Sequence, residues 1–212
     1  NRTSISMGEA RAKSRHRRDV LLGNSRCVYC EQPAATVEHM PPRSMFMGKL
    51  RLSGLEFPSC SECNEATRGA DALAAFFSRM SPSSFSPQWE IEEAYKLISP
   101  IRRNAPQALE EIFDPNKVRT KWTRGRDSIF TRKHEIQIQG PVVHALMTAF
   151  SAKLGMSLFA EHIGYPMPVG SGVYTQFYLN AGLTRQTAEA ILSILPLGGQ
   201  LRQGRLSSGK QF

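Results

Sequence analysis

Four cysteines constrain the fold of this chain more than any other feature of its sequence. They form two pairs, Cys27-x-x-Cys30 and Cys60-x-x-Cys63, with 29 residues between the pairs. Two intervening residues let both thiolates of a pair point at one ion, and two such pairs complete a tetrahedral site with no open position. We therefore predict a structural zinc site, which holds the ends of the intervening loop together and does no chemistry.

Disulfides and redox chemistry are the competing uses of paired cysteines. The sequence shows no apolar run of the ~20 residues that span a bilayer and no signal-peptide pattern. It predicts a soluble, cytoplasmic protein without a membrane partner, in which thiols stay reduced. A thioredoxin-like motif needs a single CxxC at a helix start within a βαβ unit. Zinc is therefore the favoured interpretation.

The segment between the two pairs has the pattern of a hairpin. Residues 36–39 are β-prone and are stopped by Pro41 and Pro42, and residues 55–58 form a second short extended run. Helical spacing of apolar residues begins at Ser61. These patterns predict a strand–loop–strand–helix unit, a ββα module closed by zinc.

The remainder of the chain is predicted to be rich in helices. We expect helices over 88–98 and 105–113, each ended by a proline, a strand or hairpin within 128–139, a long helix over 141–163, a strand over 173–179 and a helix over 184–195. The predicted parts are a basic flexible arm (1–23), the zinc module (24–80), a Ser/Pro linker (81–88), an α-rich accessory domain (89–200) and a basic tail (201–212).

Positive charge is confined to three stretches of the sequence. The net charge is +9, and the basic residues outnumber the acidic ones by six to two in residues 1–24, by seven to one in 116–133 and by three to none in 201–212. This confinement indicates a track for a polyanion, although basic ends and loops also serve solubility alone. The predicted nucleic-acid-binding residues are Arg15, Arg17, Arg18, Lys117, Arg119, Lys121, Arg124 and Arg126.

The motifs around the cysteines resemble a known family. "CVYC", "ATVEHMPPRSMF" and "FPSCSECN" are similar to the zinc-containing HNH endonucleases of prokaryotes and phages, over about Arg26 to Arg68. The resemblance implies an α+β fold: a zinc-stapled ββα-metal (HNH or treble-clef-like) module, joined here to a mostly α-helical accessory domain with a short strand or hairpin. It also implies a phage, mobile-element or antiphage-defence role in a bacterial or phage-infected cell.

The resemblance assigns roles to five residues. His39 would be the general base that takes a proton from water, since its side chain titrates near neutral pH. Glu38 and Asn64 would hold a catalytic Mg²⁺ or Mn²⁺ that stabilises the phosphorane and the leaving oxygen. Arg43 and Arg68 would contact the phosphate backbone or the transition state. The implied activity is hydrolysis of phosphodiester bonds, with double-stranded DNA as the partner.

The sequence departs from the family pattern in two respects. Positions 40–59 contain no asparagine, so the family's middle Asn, which braces the loop under the catalytic His, has no counterpart. The expected cation ligands are Glu and Asn rather than Asp and His, a pair that suits a hard cation. Two alternatives therefore stay open: a zinc-stapled adaptor or nucleic-acid-binding subunit without activity, and a nuclease directed at RNA. Oligomeric state and protein partners leave no visible trace in the sequence.

Overall fold

Two antiparallel hairpins and a set of packed helices make up the fold. The computed structural model describes residues 17–46, 55–79, 88–124, 130–136, 138–177 and 184–194. The strands are β1 (Thr36–His39), β2 (Glu56–Ser59), β3 (Val118–Arg124) and β4 (Phe130–Ile136). The helices are α1 (Ser61–Ala66), α2 (Arg68–Arg79), α3 (Gln88–Asn104), α4 (Pro106–Ile112), α5 (Pro141–Ile163) and α6 (Arg185–Ile194). The predicted α+β class is confirmed.

The first hairpin has a register that decides which residues of the site meet. Strand β1 pairs with β2, and His39 lies directly opposite Glu56, while Glu38 lies opposite Phe57. Helix α1 follows β2 at once, because Cys60 caps its N-terminus by accepting a hydrogen bond from the Cys63 N–H. The strand–strand–helix order predicted around the cysteines is therefore formed.

One buried apolar cluster joins the cysteine-containing segment to the later helices. Phe57 of β2, Leu73 of α2, Ile101 of α3, Ile112 of α4 and Phe150 of α5 all belong to it. Helix α2 packs against both α3 and α5, so it stands between the first hairpin and the rest of the molecule. The core is thus continuous across the predicted boundary between the zinc module and the accessory domain.

Several element predictions for the second half differ from the structure. We expected helix α3 to end before Pro100, but it continues through that residue to Asn104. Pro100 is exposed, so water can satisfy the backbone carbonyl that loses its partner. Residues 173–177, the described part of the strand predicted over 173–179, form no strand and do not pair with either hairpin. Strand β3 was not predicted, because its alternation is hidden within a run of charged residues.

Helix α5 packs one side into the molecule, and the residues on that side change from apolar to polar along the helix. By length and composition it could cross a membrane, contrary to our expectation that no such segment exists. It packs instead against α2 and α4. The sequence pattern predicts that apolar residues at helical spacing, from Val143 to Leu158, form the buried face. Val143, Met147 and Phe150 are buried, but further along the buried residues are Lys153, Ser157 and Glu161, and Leu158 is exposed.

Some predicted segments fall partly or wholly outside the described residues. Positions 1–16 of the basic arm, the linker at 81–87 and the tail at 201–212 all lie outside them. Residues 17–23 are helical, and α6 begins where predicted, with the Thr184 hydroxyl accepting a hydrogen bond from the Thr187 N–H.

Candidate metal centre and active site

The four cysteine sulfurs lie together in a cluster that could hold a structural metal such as zinc. All four Sγ atoms lie within 4.8 Å of one another. The Sγ atoms of Cys30 and Cys60 are 3.7 Å apart. A tetrahedral zinc with bonds of about 2.3 Å places its sulfurs roughly 3.8 Å from each other, so the spacing fits that ion. Cys27 and Cys30 contribute from a turn, and Cys60 and Cys63 contribute from the N-terminus of α1.

Backbone groups and burial prepare these thiols for a cation. The N–H groups of Tyr29 and Cys63 point at Sγ of Cys27 and Cys60, at 3.5 and 3.3 Å. Burial acts to raise the pKa of Cys27, but backbone hydrogen bonds outweigh it and lower that pKa. Burial raises the pKa of Cys30 and of Cys63. Four thiolates this close repel one another, so a divalent cation is the natural way to neutralise them.

The predicted base, His39, meets a carboxylate on the neighbouring strand. Its Nε2 lies 2.9 Å from Oε1 of Glu56, and Arg43 Nη2 lies 3.5 Å from the same oxygen. The Glu56 side chain is 7% exposed, whereas those of His39 and Arg43 are 22% and 50% exposed. A buried carboxylate thus orients an imidazole and a guanidinium that remain accessible from solvent. Glu56 also lines an open cleft together with Asp19 and Tyr165.

Glu38 faces a different environment, a buried cluster of charges. Its carboxylate forms an ion pair with Lys153, whose Nζ also contacts Asp71 Oδ2 at 2.7 Å and donates to Thr67 Oγ1 at 2.6 Å. Nζ also lies 5.7 Å from the centre of the Tyr29 ring. Burial raises the pKa of Glu38 and of Asp71, and Lys153 opposes that shift in both. Two carboxyl groups share one ammonium, and the raised pKa of both favours a proton on one of them over a second negative charge.

The three predicted catalytic residues divide between the two faces of β1. Successive side chains of a strand point to opposite faces, so Thr36 and Glu38 share one face while His39 occupies the other. Asn64 belongs with Glu38, because its Nδ2 donates to Thr36 Oγ1 at 3.2 Å. The expectation that Glu38, His39 and Asn64 converge on one spot is therefore not met: Glu38 and Asn64 lie to one side of the strand, and the His39 imidazole lies on the other side against Glu56.

The other predicted binding residues are spread over the surface. Arg68 pairs with Glu65 and is exposed, away from the contacts of His39. Arg17 donates to the Ala35 carbonyl at 2.7 Å, which ties residue 17 to the start of β1. Strand β3 carries three exposed basic residues, Arg119, Lys121 and Arg124. Just before it, the Lys117 Nζ lies 3.8 Å from Oε1 of Glu111. Arg18 is exposed on the helix over 17–23. Arg15 and Arg126 lie outside the described residues.

Replacement of Lys153 by methionine tests the buried cluster. The change keeps the length of the side chain but leaves Glu38 and Asp71 without their shared cation. Removing one partner of a buried ion pair costs about 3–5 kcal/mol. We expect the free energy of unfolding, measured by urea denaturation, to fall by that amount.

The matched control is Lys96→Met. Lys96 pairs with Glu93 on the surface of α3, where its side chain is 69% exposed. Exposed pairs contribute about 1 kcal/mol at most, so this variant should unfold close to wild type. Equal stability of both variants would show that Lys153 does not neutralise a buried charge.

Sequence reasoning missed Glu56 and Lys153. Both strands of the first hairpin were predicted, but their register was not, and only the register shows that Glu56 faces His39. Lys153, Ser157 and Glu161 recur every four residues in an otherwise apolar helix. That polar stripe was a visible signal of a buried polar contact, but the apolar spacing on the neighbouring side of the helix dominated the prediction.

The fold and the site define an α+β protein with a four-cysteine cluster that could hold a structural metal, next to a two-stranded hairpin that carries a His–Glu pair. Compared with known protein families, with curated proteins and with solved structures, the chain matches none.

Proposed function

We propose that this protein is a metal-dependent endonuclease of the HNH type, which hydrolyses phosphodiester bonds of DNA with His39 as the general base. The observation that carries the proposal is the accessible His39 imidazole, held 2.9 Å from the buried Glu56 carboxylate on a hairpin that adjoins the four-cysteine cluster. A general base must be fixed in orientation yet open to solvent on its reacting side. In the proposed enzyme the cluster binds zinc, which makes the hairpin rigid.

The pairing of His39 with Glu56 suggests which nitrogen reacts. When Nε2–H donates to the carboxylate, the proton-accepting nitrogen of the neutral ring is Nδ1. Nδ1 takes a proton from water, the resulting hydroxide forms a bond to phosphorus, and the bond to the 3′ oxygen breaks, which leaves a 5′-phosphate. Arg43 is close to the same carboxylate and half exposed, so it is placed to donate to a phosphate oxygen.

The cation side of this proposal depends on Glu38 and Asn64. Asn64 uses its Nδ2 to contact Thr36, so its Oδ1 is the atom that would serve as a ligand. A cation at Glu38 must displace the Lys153 ammonium, which carries out the neutralising role in this structure. Because Glu38 and the His39 imidazole lie on opposite faces of β1, a Mg²⁺ or Mn²⁺ held by Glu38 and Asn64 would stabilise the phosphorane and the leaving oxygen only if the end of the strand rearranged when DNA bound.

The ion pair between Glu38 and Lys153 also favours a second candidate function. Glu38 is buried and already neutralised, as expected of a structural link between the first hairpin and α5 rather than of a cation ligand. In that case the protein is a zinc-stapled nucleic-acid-binding or adaptor subunit without activity of its own.

Nicking of supercoiled plasmid separates the two candidates. Purified zinc-loaded protein, supplied in turn with Mg²⁺, Mn²⁺ and Ni²⁺, is expected to convert supercoiled plasmid to nicked and linear forms with 5′-phosphate ends. Omission of the added cation provides the control, because it leaves the zinc in place. If none of the three cations supports nicking, the adaptor is the correct interpretation.

A further inference from the structure

We infer that the β3–β4 ribbon binds an unpaired stretch of nucleic acid by stacking bases on Trp122 and Phe130. The inference goes beyond the proposed function, because it concerns a surface away from His39 and does not require cleavage. It rests on the register of the ribbon, on the exposure of its aromatic residues and on its charge.

The register places aromatic and cationic residues together on one face. Trp122 lies directly opposite Arg132, and Phe130 lies directly opposite Arg124. Directly opposite residues share a face, and two residues along a strand return to the same face. The four residues therefore alternate on that face, with each aromatic residue next to an arginine on the other strand. Trp122 and Phe130 are diagonal neighbours, about 7–8 Å apart, so each ring is placed for a different base.

The aromatic rings are exposed to a degree that packing does not explain. Trp122 is 63% exposed and Phe130 is 62% exposed. The two strands pair extensively with each other, and no other described helix or strand packs against them to a comparable extent. Single exposed apolar residues are common in proteins, but Trp122 and Phe130 are neighbours on one face, and grouped exposed apolar residues mark binding surfaces.

The positive charge of the ribbon favours a polyanion, and its aromatic rings favour a single-stranded nucleic acid over a duplex. Strand β3 has exposed basic residues at 119, 121 and 124, and β4 has one at 132. Phosphates account for the basic residues on either type of nucleic acid. Proteins bind single-stranded nucleic acid by stacking its unpaired bases on aromatic side chains and by placing basic residues next to its phosphates. A regular duplex keeps its bases stacked on each other, and an acidic protein surface offers few rings to stack on.

Tryptophan fluorescence provides the test. The chain contains two tryptophans, so Trp89→Phe leaves Trp122 as the reporter. In a Trp89→Phe, His39→Ala protein, a short oligodeoxythymidine should quench this fluorescence, and a duplex of equal length should quench it much less. Binding is measured without added divalent cation, so the result stands whether or not the protein is a nuclease.

Three variants define the contribution of the rings. Phe130→Ala and Trp122→Leu should each weaken binding of the oligodeoxythymidine, followed by anisotropy of a labelled strand, about 5- to 150-fold, since a stacked base contributes about 1–3 kcal/mol. Trp122→Phe keeps an aromatic face and should retain most of the affinity. Arg132→Ala, on the face of the rings, should lower the salt dependence of binding and leave the quenching intact, whereas Arg119→Ala, on the opposite face, should change neither.

Three results would overturn the inference. One is an absence of quenching by the single strand. Another is equal quenching by the duplex, which would indicate that the ribbon binds in a groove of double-stranded DNA. The last is equal quenching by poly-glutamate, which would mean that the surface recognises acidic chains in general. Circular dichroism of each variant confirms that the exposed substitutions leave the fold unchanged.

Discussion

Cys60→Ser is expected to abolish metal binding and to unfold the first hairpin. Cys60 is buried, its sulfur lies 3.7 Å from that of Cys30, and it caps α1, so it joins the cluster to the hairpin and to the helix at once. Structural zinc sites contribute about 10–16 kcal/mol of apparent binding free energy at neutral pH, as much as the whole stability of many domains. Loss of even ~4 kcal/mol would lower the melting temperature by about 8–16 °C for a chain of this size.

Zinc content and thermal melting measure this effect together. Wild-type protein should contain one zinc per chain by elemental analysis, and Cys60→Ser should contain little. Ser61→Ala is the matched control, because Ser61 is the exposed neighbour and contributes no ligand. If the Cys60→Ser protein melts at the wild-type temperature, the cluster does not hold the hairpin.

His39→Ala is expected to lower the rate of DNA cleavage by about 10²- to 10⁴-fold. Loss of a general base typically has a cost of that size, because water must then lose its proton without a positioned acceptor. When His39 is removed, Arg43 still lies 3.5 Å from the buried Glu56 carboxylate, so the loss of stability should be smaller than in the Lys153→Met protein. Single-turnover nicking of supercoiled plasmid measures the rate, and thermal melting checks the fold.

His162→Ala is the control for this variant. His162 is an exposed histidine in the last turn of α5, and the proposed mechanism gives it no role. The His162→Ala protein should cleave DNA at the wild-type rate. Wild-type activity in the His39→Ala protein would exclude His39 as the base, even if the protein proves to be a nuclease.

Local sequence patterns were enough to predict the metal centre and the elements around it. The CxxC spacing determines which sulfurs can share an ion, and the short β-prone runs at 36–39 and 55–58 flank a loop that must turn back to the second pair. Prolines and the N-terminal cap of α6 likewise indicated most helix ends. Pro100 is the exception, because an exposed helix tolerates the loss of one backbone hydrogen bond when water replaces it.

The contacts that define the candidate active site depend on register and packing, which the sequence does not display. Glu56 reaches His39 because residue 39 pairs with residue 56, and a shift by one position would turn its carboxylate to the other face. Lys153 reaches Glu38 and Asp71 across more than 80 residues of sequence. Without that packing, Glu38 had the sequence features of an open cation ligand; in the fold it is part of a buried ion pair.

The central claim is that the first hairpin presents His39 to a phosphodiester while Glu38 and Asn64 bind a cation. A crystal structure of the His39→Asn variant with DNA and Mg²⁺ tests it most directly. We predict that a backbone phosphate is linked to the side chain at position 39 by one water, with each hydrogen bond about 3 Å long. We also predict Mg²⁺ on the oxygens of Glu38 and Asn64, with the Lys153 ammonium moved away from Glu38. DNA bound elsewhere, with Glu38 still paired to Lys153 and no cation beside it, would contradict the claim.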